Sequence, residues 1–296
     1  MNLTRRYFLT TSATALAAAA LAPRLLAAPS ALPRFPVAVC DWMILKRQKL
    51  GAFKRTSEIG ADGLELDMGG LGDRPTFDNK LLDPAAREQF LAEAAKYDLR
   101  LSSIAMSGFY AQSFAERDGI ERVVEDTITT TVAMGVRTIF LPLGVRSDLV
   151  AHPELRPAVV ARLKAAGQRA ADAGVVIGIE SAYDAAGELA LLQDIDSPAV
   201  KSYFNFANAL QNDRDLHAEL RTLGAANICQ IHASNKDVHW LENDPQIDLP
   251  AVKATLDDMG WHGWLVIERS RDASNTRDVV GNYGANTRYL KKVFQS

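Results

Sequence analysis

Five apolar runs in this chain carry, or end in, residues that can hold a cation or move a proton. Glu65 stands in Gly63-Leu64-Glu65-Leu66, and Glu180 ends the run from Val175. Asn205 and Asn208 lie at the end of the run that begins at Val200, His232 ends the run from Asn227, and Glu268 ends the run from Trp264. Carboxylate, amide, imidazole and carboxylate together make an N/O donor set suited to a divalent ion such as Mn²⁺, Mg²⁺, Co²⁺ or Zn²⁺. A glutamate ending a buried apolar run is costly unless it is paired or bound to metal. Two of them, Glu180 and Glu268, therefore point to a site. A lone histidine at a strand end is more often a cap that finds a backbone partner. His232 rises above that reading because other runs in the chain end the same way.

The elements that must position these residues alternate regularly. Short apolar runs at Val37 to Trp42, Gly63 to Leu66, Leu99 to Met106, Arg137 to Leu141, Val175 to Glu180, Val200 to Phe206, Ile228 to His232 and Trp264 to Glu268 read as strands buried on both faces. Between them come helical patterns at Gly51 to Gly60, Pro84 to Tyr97, Gly119 to Met134, Pro153 to Ala173, Ala186 to Gln193, Arg214 to Leu223, Leu249 to Met259 and Asp278 to Phe294. Strand-then-helix units in series, without paired strands, imply a parallel sheet with crossover helices. Eight units in about 250 residues is the size of a (β/α)₈ barrel, a TIM barrel of α/β class and a single domain. An open doubly wound sheet is the alternative, but the glycine-rich first turn of a dinucleotide fold is missing. In either fold ligands bind at the carboxyl ends of the strands, where the candidate residues sit. Gly69 to Asn79 reads as a flexible loop over that face.

Composition narrows the partners. The chain has 296 residues, a net charge of −3 and 48% hydrophobic residues. A nearly neutral balance gives no electrostatic reason to expect nucleic acid. Beyond the N-terminus no apolar run reaches the roughly 20 residues needed to span a membrane. The N-terminus itself reads as a targeting segment. Thr4-Arg5-Arg6-Tyr7-Phe8-Leu9 is a twin-arginine pattern, Ala13 to Ala22 is Ala-rich, and Leu26-Ala27-Ala28 offers small residues before Pro29. Residues 1–28 are thus expected to be a signal peptide, residues 29–296 the barrel, and the destination periplasmic or otherwise exported. Cys40 and Cys229 fall on strands separated by another strand, on the order of 10 Å apart, and are expected to be buried free thiols.

The order and spacing of several pieces resemble the xylose isomerase-like TIM-barrel superfamily, in its sugar phosphate isomerase/epimerase branch. The resemblance runs from about Val37 to Phe294. It is carried by Gly60-Ala-Asp-Gly-Leu-Glu65-Leu, Gly178-Ile-Glu180, Tyr203-Phe-Asn205-Phe-Ala-Asn208-Ala, Ile231-His232 with Lys236-Asp237, Ile247-Asp-Leu-Pro250-Ala-Val, and Gly260-Trp-His-Gly263-Trp264-Leu-Val-Ile-Glu268. It implies one divalent metal ion held by Glu180, Asn205, His232 and Glu268. The family usually has Asp where this chain has Asn205. An amide oxygen still binds a hard cation, but the site loses a negative charge. Asn208 falls where ketose 3-epimerases similar to this family place a substrate-contacting His, which argues against chemistry of that particular type.

The implied reaction is proton abstraction next to a carbonyl of a sugar or keto-sugar, with Glu180 and Glu268 as base and acid on its two faces. Glu65, Asn208, Lys236 and Trp42 are candidates for contacting the carbohydrate, or else for strand-end salt bridges and barrel packing. His239 lies where it could reach the pocket, and His262 reads as surface. Asp237 reads as a loop partner and Asp248 as a helix cap. A homodimer is possible, with Trp261 and Trp264 near its interface. Two other readings compete: a degenerate barrel that binds carbohydrate without turnover, and a phosphodiesterase like endonuclease IV, which shares the superfamily fold. The second needs more His ligands than a chain with five His, one of them at a strand end, supplies.

Overall fold

A computed structural model describes residues 31–296. The expected signal peptide lies outside the described residues, apart from which the chain forms one unit. Eight strands close into a parallel barrel in sequence order: β1 (Val37–Cys40), β2 (Gly63–Asp67), β3 (Arg100–Ala105), β4 (Thr138–Pro142), β5 (Val176–Glu180), β6 (Val200–Asn205), β7 (Ile228–His232) and β8 (Leu265–Ile267). β1 pairs with β8 to complete the ring. The helices are α1 (Gly51–Ile59), α2 (Pro84–Lys96), α3 (Ile120–Ala133), α4 (Arg156–Asp172), α5 (Ala185–Ile195), α6 (Phe206–Leu210), α7 (Leu216–Leu223), α8 (Leu249–Asp258) and α9 (Val279–Phe294). The expected (β/α)₈ TIM barrel is the fold. Among the described residues no helix is long and apolar enough to cross a membrane.

The period-two alternation of the strands splits the core in two. Outward residues such as Val37, Val39, Leu64, Leu66, Ile177 and Ile179 pack against the helices. The inward apolar set is small: Ala38, Cys40, Ala105, Phe140, Tyr203 and Val266. Polar side chains fill the rest of the lumen, where Glu65, Ser103, Gln230 and His232 are at most 1% exposed. The ladder register shifts at Leu64/Glu65 against β3 and at Ser202/Tyr203 against β7. Such irregularities re-aim side chains, and here Glu65 and Tyr203 meet across the lumen, with the phenol donating at 3.0 Å.

Several element boundaries depart from expectation by one to three residues, and one matters to the site. β6 stops at Asn205 instead of running to Phe206, because the Asn205 side chain caps a short helix, α6, that the apolar pattern concealed. β1 stops at Cys40 instead of Trp42, where the chain turns and Ile44 donates back to the Cys40 carbonyl. The Gly69 to Asn79 loop is pinned, not loose. Asp67 accepts from the Gly69 amide at 2.8 Å, Asp78 donates to the Gly70 carbonyl, and Gln48 donates to Asn79 at 2.7 Å.

Asp248 caps α8 as expected, accepting from the Ala251 amide. Cys40 and Cys229 are free, Cys40 buried and Cys229 partly exposed. Trp261 does not face outward toward a second copy. It is buried against Phe35, and its indole donates to the Ile228 carbonyl at 3.0 Å.

Candidate active site

Barrel closure brings the ends of β5, β6, β7 and β8 together at one mouth. His232 Nδ1 lies 2.9 Å from Glu180 Oε2 and 3.9 Å from Glu268 Oε2. Its Nε2 faces Glu65 Oε2 at 3.2 Å. Its ring is clamped between Phe140 and Tyr203, with centroids 4.7 and 4.6 Å away. Glu180 and Glu268 are 8% and 6% exposed, so both carboxylates sit at the floor of the mouth, nearly out of water. Burial pushes the Glu268 carboxyl up, the His232 imidazole pulls it back, and the charge of Glu180 raises it again. Burial alone would push the His232 imidazole down. Hydrogen bonds to Glu180 and Glu65 outweigh that and hold it well above its ordinary range.

Three of the four expected ligands suit a divalent cation. One ligand atom each from Glu180, His232 and Glu268 falls within 4.8 Å of the others. The far nitrogen of His232 is held by a carboxylate, the arrangement that fixes tautomer and ring orientation behind metal-bound imidazoles. Three protein donors and open positions are what a catalytic ion requires. Asn205 departs from the set. Its Oδ1 accepts the Ala207 amide at 2.9 Å as the α6 cap, so its Nδ2 is what faces the site. That amino group donates to Glu180 Oε2 at 3.0 Å and to Glu268 Oε2 at 3.4 Å. Turning the amide over would set two N–H donors against each other. In this arrangement Asn205 stands as a donor to the two carboxylates, with its oxygen engaged by the Ala207 amide.

The order of strands, the placement of Glu180, His232 and Glu268, and a match of residues 53–293 to the model described as xylose isomerase-like TIM barrel decide the family. The chain belongs to it. No curated protein matches the chain. Among solved structures, D-psicose 3-epimerase with D-tagatose from Clostridium cellulolyticum H10 is 13% identical with a TM-score of 0.69, covering 88% of this chain and 99% of that one. The 3-keto-D-glucoside 4-epimerase from E. coli is 17% identical with a TM-score of 0.65, over 87% and 99% of the two chains. An AP endonuclease, family 2, from Brucella melitensis is 16% identical with a TM-score of 0.61, over 85% and 96%. At these identities the likeness shows the fold alone.

Within this xylose isomerase-like barrel the lesser candidates sort as follows. Glu65 does not reach the mouth. It is fully buried under His232 and accepts from Ser103 at 2.9 Å, Tyr203 at 3.0 Å and the Cys40 thiol at 3.3 Å, so it orients the imidazole and is closed to a sugar. Asn208 donates to the Ser181 carbonyl at 2.9 Å and braces the end of β5. Trp42 stays half-buried at the rim, stacked on Phe140 with ring planes 6° apart. Lys236 is exposed on the loop after β7, as are His239 and His262 at their own positions. Asp237 is the expected loop partner, paired with Arg271 at 2.6 Å.

One residue of the site carried no signal as a ligand. Tyr110, on the 3-10 turn Ser107–Tyr110 after β3, donates its hydroxyl to Glu268 Oε1 at 2.9 Å and lies 3.4 Å from Glu180 Oε1. Burial and the two carboxylates push its phenol well above its ordinary range, so it is a neutral donor. An aromatic four residues past an apolar run looks like packing, and only its position near a strand end could have marked it.

Proposed function

We propose that the mature chain is an exported sugar isomerase or epimerase that depends on a divalent ion and works by proton abstraction next to a carbonyl. The observation that carries this reading is the split use of the two glutamates. Their Oε2 atoms face His232 and Asn205, while their Oε1 atoms face Tyr110 on the side of the open mouth. Each carboxylate therefore has one oxygen for an ion and one for a proton. Glu180, His232 and Glu268 would hold the ion, which when bound would polarise a substrate carbonyl and its neighbouring hydroxyl and so acidify the adjacent C–H. One glutamate Oε1 takes that proton and the other returns a proton on the opposite face. Burial raises the Glu268 carboxyl, which favours it as the partner that donates the proton. Glu65 keeps the His232 ring in register, and the apolar Phe140 wall and the Trp42 rim exclude water from the reacting atoms. Export rests on the leader from Thr4 to Ala28, and a carbohydrate as the small-molecule substrate is suggested by the epimerases among the structural neighbours.

The test combines metal content and proton exchange. Protein purified without chelator should carry about one divalent ion per chain, lost in Glu180→Gln and Glu268→Gln. A sugar substrate should exchange a C–H proton with deuterated solvent only when the ion is present. No ion after incubation with excess Mn²⁺ or Zn²⁺, or near-normal turnover in both variants, would sink the proposal. A second reading, a barrel that binds carbohydrate without turnover, is favoured by the Asn205 amino group bridging both carboxylates. Sugar binding without any solvent exchange would select it.

A further inference from the structure

We infer that Tyr110 is a gate whose phenol hydroxyl occupies the position that a hydroxyl-bearing carbon of the substrate takes between Glu180 and Glu268. The inference rests on reading those two carboxylates as the proton carriers. A base and an acid acting on opposite faces of one carbon must have that carbon between their free oxygens. The free oxygens are the Oε1 atoms, and the group between them is the Tyr110 hydroxyl, 2.9 Å from one and 3.4 Å from the other. Substrate and phenol compete for the same volume and the same two acceptors.

The backbone beneath this tyrosine is fitted closely. Gly144, in the loop after β4, leaves room for it, since a Cβ there would lie 2.6 Å from Tyr110 Cα and 2.8 Å from its carbonyl oxygen. The ring rests on Phe140 with centroids 6.0 Å apart. The backbone position is therefore fixed, and opening is rotation of the ring out of the mouth. The ring is partly exposed while the carboxylates below it are buried, so it stands between them and solvent. Displacing the phenol costs its hydrogen bond to Glu268. Only a ligand that restores that bond with its own hydroxyl, held beside a carbonyl, recovers the loss; an apolar ligand or one without a donor at that carbon does not.

Two readouts test the gate. Binding of D-tagatose and D-fructose to wild type and Tyr110→Phe is measured by calorimetry. Phenylalanine keeps the ring packing and removes the competing donor, so affinity should rise about tenfold, the worth of one hydrogen bond to a charged group. Weaker binding in Tyr110→Phe would mean that the phenol holds the sugar instead of yielding to it, which overturns the gate. Without any sugar, Glu180 and Glu268 are labelled with a water-soluble carbodiimide and an amine and mapped by mass spectrometry. Labelling should rise severalfold in Tyr110→Ala, and in Tyr110→Phe to a smaller extent. Unchanged labelling in both variants overturns the gate even where sugars bind. Raised labelling with no sugar bound by any variant upholds the gate and counts against the sugar reading instead.

Discussion

Glu188 offers a test of the physics behind the site that needs no substrate. It lies on α5, 5% exposed, behind the strand end that carries Glu180. Ser181 donates to its Oε2 at 2.9 Å, while its Oε1 and the nearby Ser202 hydroxyl are both buried without a hydrogen-bond partner. Burial raises its carboxyl from the ordinary 4.5 to about 7, opposed by the Ser202 and Ser181 hydroxyls and helped by the charges of Glu180 and Glu219. Folding therefore favours the protonated form. The stability that comes with that proton is present in full below pH 4.5 and is lost as pH rises through 7. The rise from 4.5 to about 7, at about 1.4 kcal/mol per pH unit, makes the loss about 3 kcal/mol. Glu188→Gln stays neutral, keeps an acceptor for Ser181 and brings an N–H toward Ser202. Wild type and variant should unfold alike at pH 4 in urea or heat. At pH 8.5 the variant should be the more stable by about 3 kcal/mol, roughly 6–10 °C in Tm. Other buried carboxyls, such as Asp67 with its carboxyl raised to about 6, titrate in both proteins and cancel in the difference. A gap that does not change between the two pH values would refute the reasoning.

Three further outcomes follow from the site. Asn205→Asp supplies one oxygen for the Ala207 amide and a second for the ion, so Mn²⁺ binding should tighten by roughly tenfold or more; unchanged affinity by calorimetry would show that the cap does not decide the ligand set. Glu65→Gln removes the charge that holds His232 Nε2 and should weaken Mn²⁺ binding roughly 10–100-fold, with the fold intact by circular dichroism. Equal affinity would mean that the Phe140 and Tyr203 clamp orients the ring alone. Phe140→Ala removes a fully buried ring that contacts Tyr203, His232 and Trp42 and should cost about 3–5 kcal/mol in urea unfolding. A cost under about 1 kcal/mol would show that the lumen collapses into the space.

The fold was legible because its signals are periodic. Eight apolar runs alternating with helical patterns admit few topologies, and closure of the ring then placed Glu180, His232 and Glu268 side by side. The roles of Asn205, Glu65 and Tyr110 were not legible, each for a separate reason. Asn205 is governed by a local contest: the amide can serve the ion or the α6 amide, and the backbone N–H, which has no other partner, takes the oxygen. Glu65 sits two residues before the end of β2, and that depth changes a mouth residue into a lumen residue. Tyr110 reaches the carboxylates from the far side of the barrel, a contact over 158 residues of sequence that no local pattern encodes.

The polar lumen has one more consequence. Glu65, Ser103, Tyr203, Gln230 and His232 satisfy one another below the mouth, and the inward apolar residues Ala38, Phe140 and Val266 are wholly buried beside them. Among the described residues the lumen below the mouth is therefore filled. A ligand of the site and the solvent around it would pass the same rim, bordered by Trp42 and Tyr110, so whatever clogs that rim would stop traffic in both directions.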